Sequence, residues 1–242
     1  MSCPASDGPA QVIGVAYTYE VSRAARRALA GGDTAHSSWS DSFSFFFKCR
    51  LDEAVPDGGR LRLRPGAVGA PHWPEAELAA LLGEGHEVVA YALANDLTAF
   101  TVEVAVGVGD STYDGKVWPG SCALGPAFVP ARALGPVDDL PVGLRVERAG
   151  RVVFRDEYRT SARRLQFAEI PDLIAGRVRR AGGPPRPSKR VRLDEGCLLP
   201  PGTVVLLGTG LIVPREAYCR AGDRVTVWCP GLGELTNVVS AA

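Results

Sequence analysis

A chain of 242 residues, 46% hydrophobic and 22% charged, holds enough apolar material for one large core, so the fold needs no stapling by disulfides. Its 27 Lys and Arg balance 27 Asp and Glu, which leaves no net field toward a polyanion and excludes nucleic acid and anionic membranes as expected partners. No run approaches the roughly 20 apolar residues of a membrane helix, and no secretory pattern opens the chain, so a cytoplasmic location is expected.

Taken in chain order, the predicted elements are mostly strands. Short segments rich in Val, Leu and Phe lie between frequent Gly and Pro turns, at Gln11 to Ala16, Phe43 to Lys48, Arg60 to Arg64, Ala76 to Leu82, Glu87 to Ala94 and Ala123 to Val129. Gly143 to Phe154 alternates apolar and polar residues about Ala149-Gly150, the pattern of a hairpin with a tight turn. Val204 to Leu207 and a final pair, Arg224 to Trp228 and Glu234 to Val239, complete the strands. Helices are expected over Val21 to Ala30 and over Phe167 to Arg179, the latter with Phe167, Ile170, Leu173 and Ile174 at helical spacing. The basic stretch Arg177 to Arg192 mixes Pro and Gly with its charges and suits a solvated loop. The six cysteines are scattered singly, which points to reduced thiols and away from zinc or redox motifs. The fold class is therefore mostly β within an α+β arrangement, with a few flanking helices.

One cluster of residues carries chemistry. Glu75 and Glu77 stand two apart in Pro74-Glu-Ala-Glu-Leu78, and strand alternation sends both carboxylates to one face while Ala76 and Leu78 pack on the other. Adjacent like charges repel unless something positive lies between them, and a hard cation held by carboxylate oxygens is an economical solution. By itself the same pattern also describes a common solvated strand face. Asp96 closes the apolar run Val88 to Asp96, either as a carboxylate delivered to a strand edge or as half of a turn-forming Asn95-Asp96 pair. Lys116 lies in a Gly- and Pro-rich loop, where it could polarise a carbonyl oxygen or simply face water.

The order of these pieces resembles the fumarylacetoacetate hydrolase superfamily, and within it the branch of dehydratases acting on 2-keto-3-deoxy sugar acids. Thr18-Tyr19-Glu20-Val-Ser22-Arg23-Ala-Ala-Arg26, Phe46-Phe47-Lys48, Pro74-Glu75-Ala-Glu77-Leu78, Asn95-Asp96 and Lys116-Val117 with Gly120-Ser-Cys-Ala-Leu-Gly-Pro126 are similar to that branch's motifs, in its order. Leu207-Gly-Thr-Gly-Leu-Ile-Val-Pro214, Ala221-Gly222-Asp223 and Gly231-Leu-Gly-Glu-Leu-Thr-Asn-Val238 continue the likeness. The resemblance implies a β-roll or mixed-sheet core at 67–242 with a small N-terminal cap region at 1–66. It also implies Glu75, Glu77 and Asp96 as ligands of Mg²⁺ or Mn²⁺, a small-molecule substrate and a homodimer.

Chemistry of the same kind follows from the resemblance. A 2-oxo acid or 1,3-dicarbonyl unit chelates the metal, charge develops as an enolate, and Lys116 donates to the charged oxygen. Dehydration of a 2-keto-3-deoxy-type or related β-hydroxy oxo compound is the leading expectation, with C–C bond hydrolysis of an acylpyruvate-like substrate as the alternative. Glu20 and His36 are the nominated general bases, and Thr209 and Ser121 the residues expected at the substrate. His72 and His86 flank turns and are expected to be solvated. The chain departs from the family where Asn95-Asp96 is followed by Leu97-Thr-Ala-Phe100-Thr101, because Phe100 replaces an arginine usual at that position. An apolar ring there suits a ligand without a carboxylate at that end. A divergent, pathway-specific cyclase or a non-catalytic ligand-binding member is accordingly a third expectation.

Overall fold

The computed structural model of the chain describes residues 10–29, 44–67, 70–99, 115–180, 191–194, 196 and 198–242. In chain order its strands are β1 (Gln11–Ala16), β2 (Ser44–Arg50), β3 (Arg60–Arg62), β4 (His72–Trp73), β5 (Ala76–Leu82), β6 (Val88–Asp96) and β7 (Thr98–Ala99). They continue with β8 (Cys122–Pro130), β9 (Pro141–Arg148), β10 (Arg151–Arg159), β11 (Val204–Leu206), β12 (Arg224–Cys229) and β13 (Gly233–Ser240). The α-helices are α1 (Glu20–Leu29), α2 (Ala131–Leu134) and α3 (Ile170–Arg180). The mostly-β expectation holds, and β1 and β5 have the expected boundaries. The strand β6 runs on through Asp96, so Asn95-Asp96 is strand and not turn. Short bridges such as β4 with β7 escape sequence reading because two residues carry no period.

Six strands form one sheet in the order β2-β1-β11-β5-β6-β8, and five form a second in the order β10-β9-β12-β13-β3. Strands from both sides of residue 66 contribute to each of these sheets: β1 and β2 to the first, β3 to the second. Alternation along the six-stranded sheet sorts its side chains into two apolar clusters. Ala76, Leu78, Ala80 and Leu82 of β5, Ile13 of β1 and Val205 of β11 face one way, and pack with Val142, Leu144, Val225, Val227 and Leu235 from the second sheet. Val12, Ala79, Ala92, Ala94, Cys122, Leu124, Val204 and Leu206 face the other way. Small alanines at three of these positions let the sheet curl around that second cluster.

The curl brings the two edges of the sheet together. After β2 the chain returns to β8, where the Val55 amide donates to the Cys122 carbonyl at 2.8 Å and the Val55 carbonyl accepts from the Leu124 amide at 3.0 Å. The interior of this roll is lined mainly by apolar side chains, and a polar cluster lies near the ends of β5 and β6. Helix α1 begins one residue later than Tyr19, which bridges to Arg163, and α3 follows a 3-10 turn over Phe167–Glu169. The first part of the basic stretch is thus helical, as far as Arg180, and residues 181–190 lie outside the described set. Among the described residues no helix is long and apolar enough to cross a membrane.

Candidate metal centre

Glu75, Glu77 and Asp96 are all buried, and each offers a carboxylate oxygen within 4.8 Å of the others. Strand geometry explains the convergence. Glu75 and Glu77 share the face of β5 that carries Ala79, and Asp96 shares the face of β6 that carries Ala92 and Ala94, so all three point into the roll. The Ala76↔Asn95 and Glu77↔Ala94 register then sets Asp96 beside the two glutamates, and the Asp96 amide donates to the Glu75 carbonyl at 3.1 Å.

Two lysines answer the three acids. Lys116 Nζ donates to Glu75 Oε2 at 2.6 Å and to Asp96 Oδ2 at 2.9 Å, with 2% of its side chain exposed. It is no surface loop residue. Lys48 Nζ lies 2.5 Å from Asp96 Oδ1, close but off the hydrogen-bonding direction, so the contact is an ion pair. Thr98 Oγ1 donates to Glu75 Oε1 at 3.1 Å, and the Asn95 carboxamide oxygen accepts from the Glu75 amide at 3.2 Å. Glu77 is served by the Gly208 amide, which donates to its Oε2 at 2.7 Å. That approach requires glycine: φ at Gly208 is +83°, and a Cβ there would sit 1.9 Å from Thr18 Oγ1.

The electrostatics separate the acids. Burial, followed by the charges of Asp96 and Glu75, pushes the Glu77 carboxyl well above the ordinary carboxylate range, against the smaller pull of Lys116 and the Gly208 amide. Burial acts the same way on Asp96, but Lys116 and Lys48 together outweigh it and hold that carboxyl below its ordinary value. Three carboxyl groups thus face two ammonium groups in a buried site, and Glu77 is the acid the lysines serve least. The donor set is all oxygen, which fits a hard divalent cation, and Glu75, Glu77 and Asp96 are the residues that would hold it.

The remaining nominated residues are placed as follows. Thr209 is 6% exposed; its hydroxyl accepts from the Leu211 amide at 3.2 Å, and its carbonyl accepts from Ser22 Oγ at 2.5 Å. Ser121 is buried and donates to the Lys116 carbonyl at 3.1 Å, which gives its hydroxyl a role in shaping the loop that presents Lys116. Glu20 heads α1 with its carboxylate on Arg23, at 2.7 Å, and near Arg164, at 3.3 Å, and its side chain is 55% exposed. His36 and Phe100 lie outside the described residues. The expectation of solvated histidines is corrected, since both are buried. The His72 ring accepts from the Arg64 amide and donates to the Ala70 carbonyl, while His86 accepts from the Leu199 amide and contacts Asp172. Backbone groups, and for His86 the Asp172 carboxylate, satisfy the ring nitrogens and offset the cost of leaving water. Sequence reasoning assigned no role to Lys48, although a lysine within Phe45-Phe46-Phe47-Lys48-Cys49 was a visible signal.

Known proteins share this fold. The curated relatives include a probable 2-keto-3-deoxyxylonate dehydratase of Haloferax volcanii, 25% identical over 92% of this chain and 70% of its own length. A 2-dehydro-3-deoxy-D-arabinonate dehydratase of Saccharolobus solfataricus is 24% identical over 96% of this chain and 72% of its own. Among solved structures, a 2-keto-3-deoxy-D-arabinonate dehydratase complexed with magnesium and 2,5-dioxopentanoate matches the fold with a TM-score of 0.76 and 23% identity, over 97% of this chain and 74% of that one. A fumarylpyruvate hydrolase from Pseudomonas aeruginosa, in complex with Mn²⁺ and pyruvate, matches with a TM-score of 0.66 and 24% identity, over 100% and 95%. The model of the fumarylacetoacetate (FAA) hydrolase C-terminal family matches residues 11–240, so nearly every strand that builds the roll and its acidic cluster lies within the match, and the chain belongs to that family.

Proposed function

We propose that this chain is a Mg²⁺- or Mn²⁺-dependent lyase that dehydrates a 2-keto-3-deoxy-type or related β-hydroxy oxo acid through an enolate. The observation that carries this reading is the buried Glu75, Glu77 and Asp96 cluster with Lys116 set against two of its members. The two dehydratase relatives support it. When bound, a divalent cation supplies Lewis-acid stabilisation of the negative charge that builds on the oxo group. The chain's own residues do the rest. Lys116 directs an ammonium N–H toward the charged oxygen in surroundings where water does not compete. Phe46, whose ring centroid is 5.9 Å from Lys116 Nζ, walls the cluster with apolar surface. Thr209, beside the amide that serves Glu77, binds the substrate's polar end, with Ser121 shaping the loop that presents Lys116; Phe100 is proposed as a further residue that sets specificity.

The general base belongs to the N-terminal region 1–66, the cap, as Glu20 or His36. The protein acts as a cytoplasmic homodimer, and light scattering tests the dimer. C–C bond hydrolysis of an acylpyruvate-like substrate is the second reading. It is favoured by the match in extent to the hydrolase, of which this chain covers 95%.

Mass spectrometry separates the readings. Incubation with Mg²⁺ and a 2-keto-3-deoxy pentonate is expected to yield one product lighter by one water. Two fragments from fumarylpyruvate, with no dehydration, would establish the hydrolase instead. Binding without turnover of either would leave the cyclase or ligand-binding reading.

A further inference from the structure

Lys48 sits at an irregularity in its strand. Along β2, Ile13 faces Phe47 and Val12 faces Cys49, so Lys48 is an extra residue between two paired ones, a β-bulge. The side chains on either side show its effect. Phe45 and Phe47 pack in the cluster between the sheets, whereas Cys49, which unbroken alternation would put with them, packs inside the roll. Alternation from Phe45 and Phe47 already sends Lys48 into the roll, where its side chain is 0% exposed, and the bulge brings Cys49 to that same side.

What it meets there is all protein. Lys48 Nζ pairs with Asp96 Oδ1 at 2.5 Å, donates to the Leu97 carbonyl at 3.4 Å and makes a short hydrogen bond to the Lys116 carbonyl. The Trp118 ring lies 5.4 Å beneath the ammonium. Two of the ammonium's N–H groups are taken by the Leu97 and Lys116 carbonyls, and its charge is paired with Asp96. We infer that Lys48 is a positioning residue of the centre: from the bulge in β2 it holds the Asp96 carboxylate, and through the Lys116 carbonyl it holds the residue that carries the second ammonium. Its engagement of Oδ1 sets which Asp96 oxygen is turned toward the acids. Ser121, which donates to the same Lys116 carbonyl, and the Leu97 amide, which donates to the Ser121 carbonyl at 2.9 Å, complete the brace.

This inference rests on the metal-dependent reading, and its test keeps the two apart. Mn²⁺ is titrated calorimetrically into wild-type and Lys48→Met protein, and kcat and KM are measured separately at saturating Mn²⁺. The Met variant is expected to bind Mn²⁺ about ten- to hundredfold more weakly, the usual effect of losing a partner that orients a ligand. Its kcat should fall while KM for substrate changes little, a split that general loss of packing would not produce. Wild-type Mn²⁺ affinity together with wild-type kcat in Lys48→Met would overturn the assignment. A crystal structure with Mn²⁺ decides the same point without a variant. Lys48 should remain on Asp96 Oδ1 while the ion takes Oδ2, and displacement of Lys48 from Asp96 by the ion would overturn it. If wild-type protein binds Mn²⁺ but dehydrates nothing, the proposed reaction fails and the Mn²⁺ affinities still decide the role of Lys48.

Discussion

Lys48 and Asp96 meet at 2.5 Å although β2 and β6 are four places apart in the sheet order. The contact exists because the sheet rolls until its edges touch. It also makes the centre a property of the closed roll, so that charge balance, ligand placement and folding depend on one another.

That dependence separates two acids that look alike in sequence. Asp96→Asn leaves two buried ammonium groups without their shared counter-charge, and breaking such a pair costs about 3–5 kcal/mol. Glu77→Gln removes a carboxylate that its neighbours already oppose and keeps an acceptor for the Gly208 amide. Both variants should lose stoichiometric Mn²⁺ binding by calorimetry. Only Asp96→Asn should show a large drop in the thermal midpoint.

Metal affinity should rise with pH. In the metal-free protein the Glu77 carboxyl binds its proton more tightly than its ordinary value of 4.5 allows, owing first to burial and then to Asp96 and Glu75. Its contribution to metal-free stability is therefore fully present below that ordinary value and is lost as pH rises through the folded one. A cation needs the ionised form, so binding should release a proton from Glu77 wherever the metal-free carboxyl still holds it. Calorimetry in buffers of different ionisation enthalpy measures this, and heats independent of buffer would count against it.

Gly208→Ala should damage both fold and site. Left-handed backbone costs a non-glycine residue roughly 1–2 kcal/mol, and the new Cβ would also collide with Thr18 Oγ1 at 1.9 Å. Relief of that clash must move the amide that serves Glu77. Chemical denaturation should show the lost stability, and weaker Mn²⁺ binding should accompany it.

Phe100→Arg tests specificity. If the apolar side chain at that position excludes a substrate carboxylate, the arginine variant should gain turnover of simple 2-keto-3-deoxy acids, chiefly through KM. Efficient turnover by the wild-type protein would show that Phe100 is no barrier and would remove the reason for a divergent, non-catalytic reading.

The sequence by itself determined the strands of period two, the burial of Ala76 and Leu78 opposite Glu75 and Glu77, and the family, because each depends on local alternation or on motifs in a fixed order. A two-residue spacing is enough to put two carboxylates on one face. Four outcomes needed the tertiary structure. Lys48 is buried because Asp96 and the Leu97 and Lys116 carbonyls, far from it in sequence, receive its ammonium. Lys116 is buried because two acids from other strands receive it. His72 is internal because the Arg64 amide and Ala70 carbonyl satisfy its ring, and His86 because Leu199 and Asp172, far along the chain, reach its own. Ser121 spends its hydroxyl on the Lys116 carbonyl. In each case the deciding term is the cost of burying a polar group, and whether a partner offsets it depends on which groups the folded chain sets within reach.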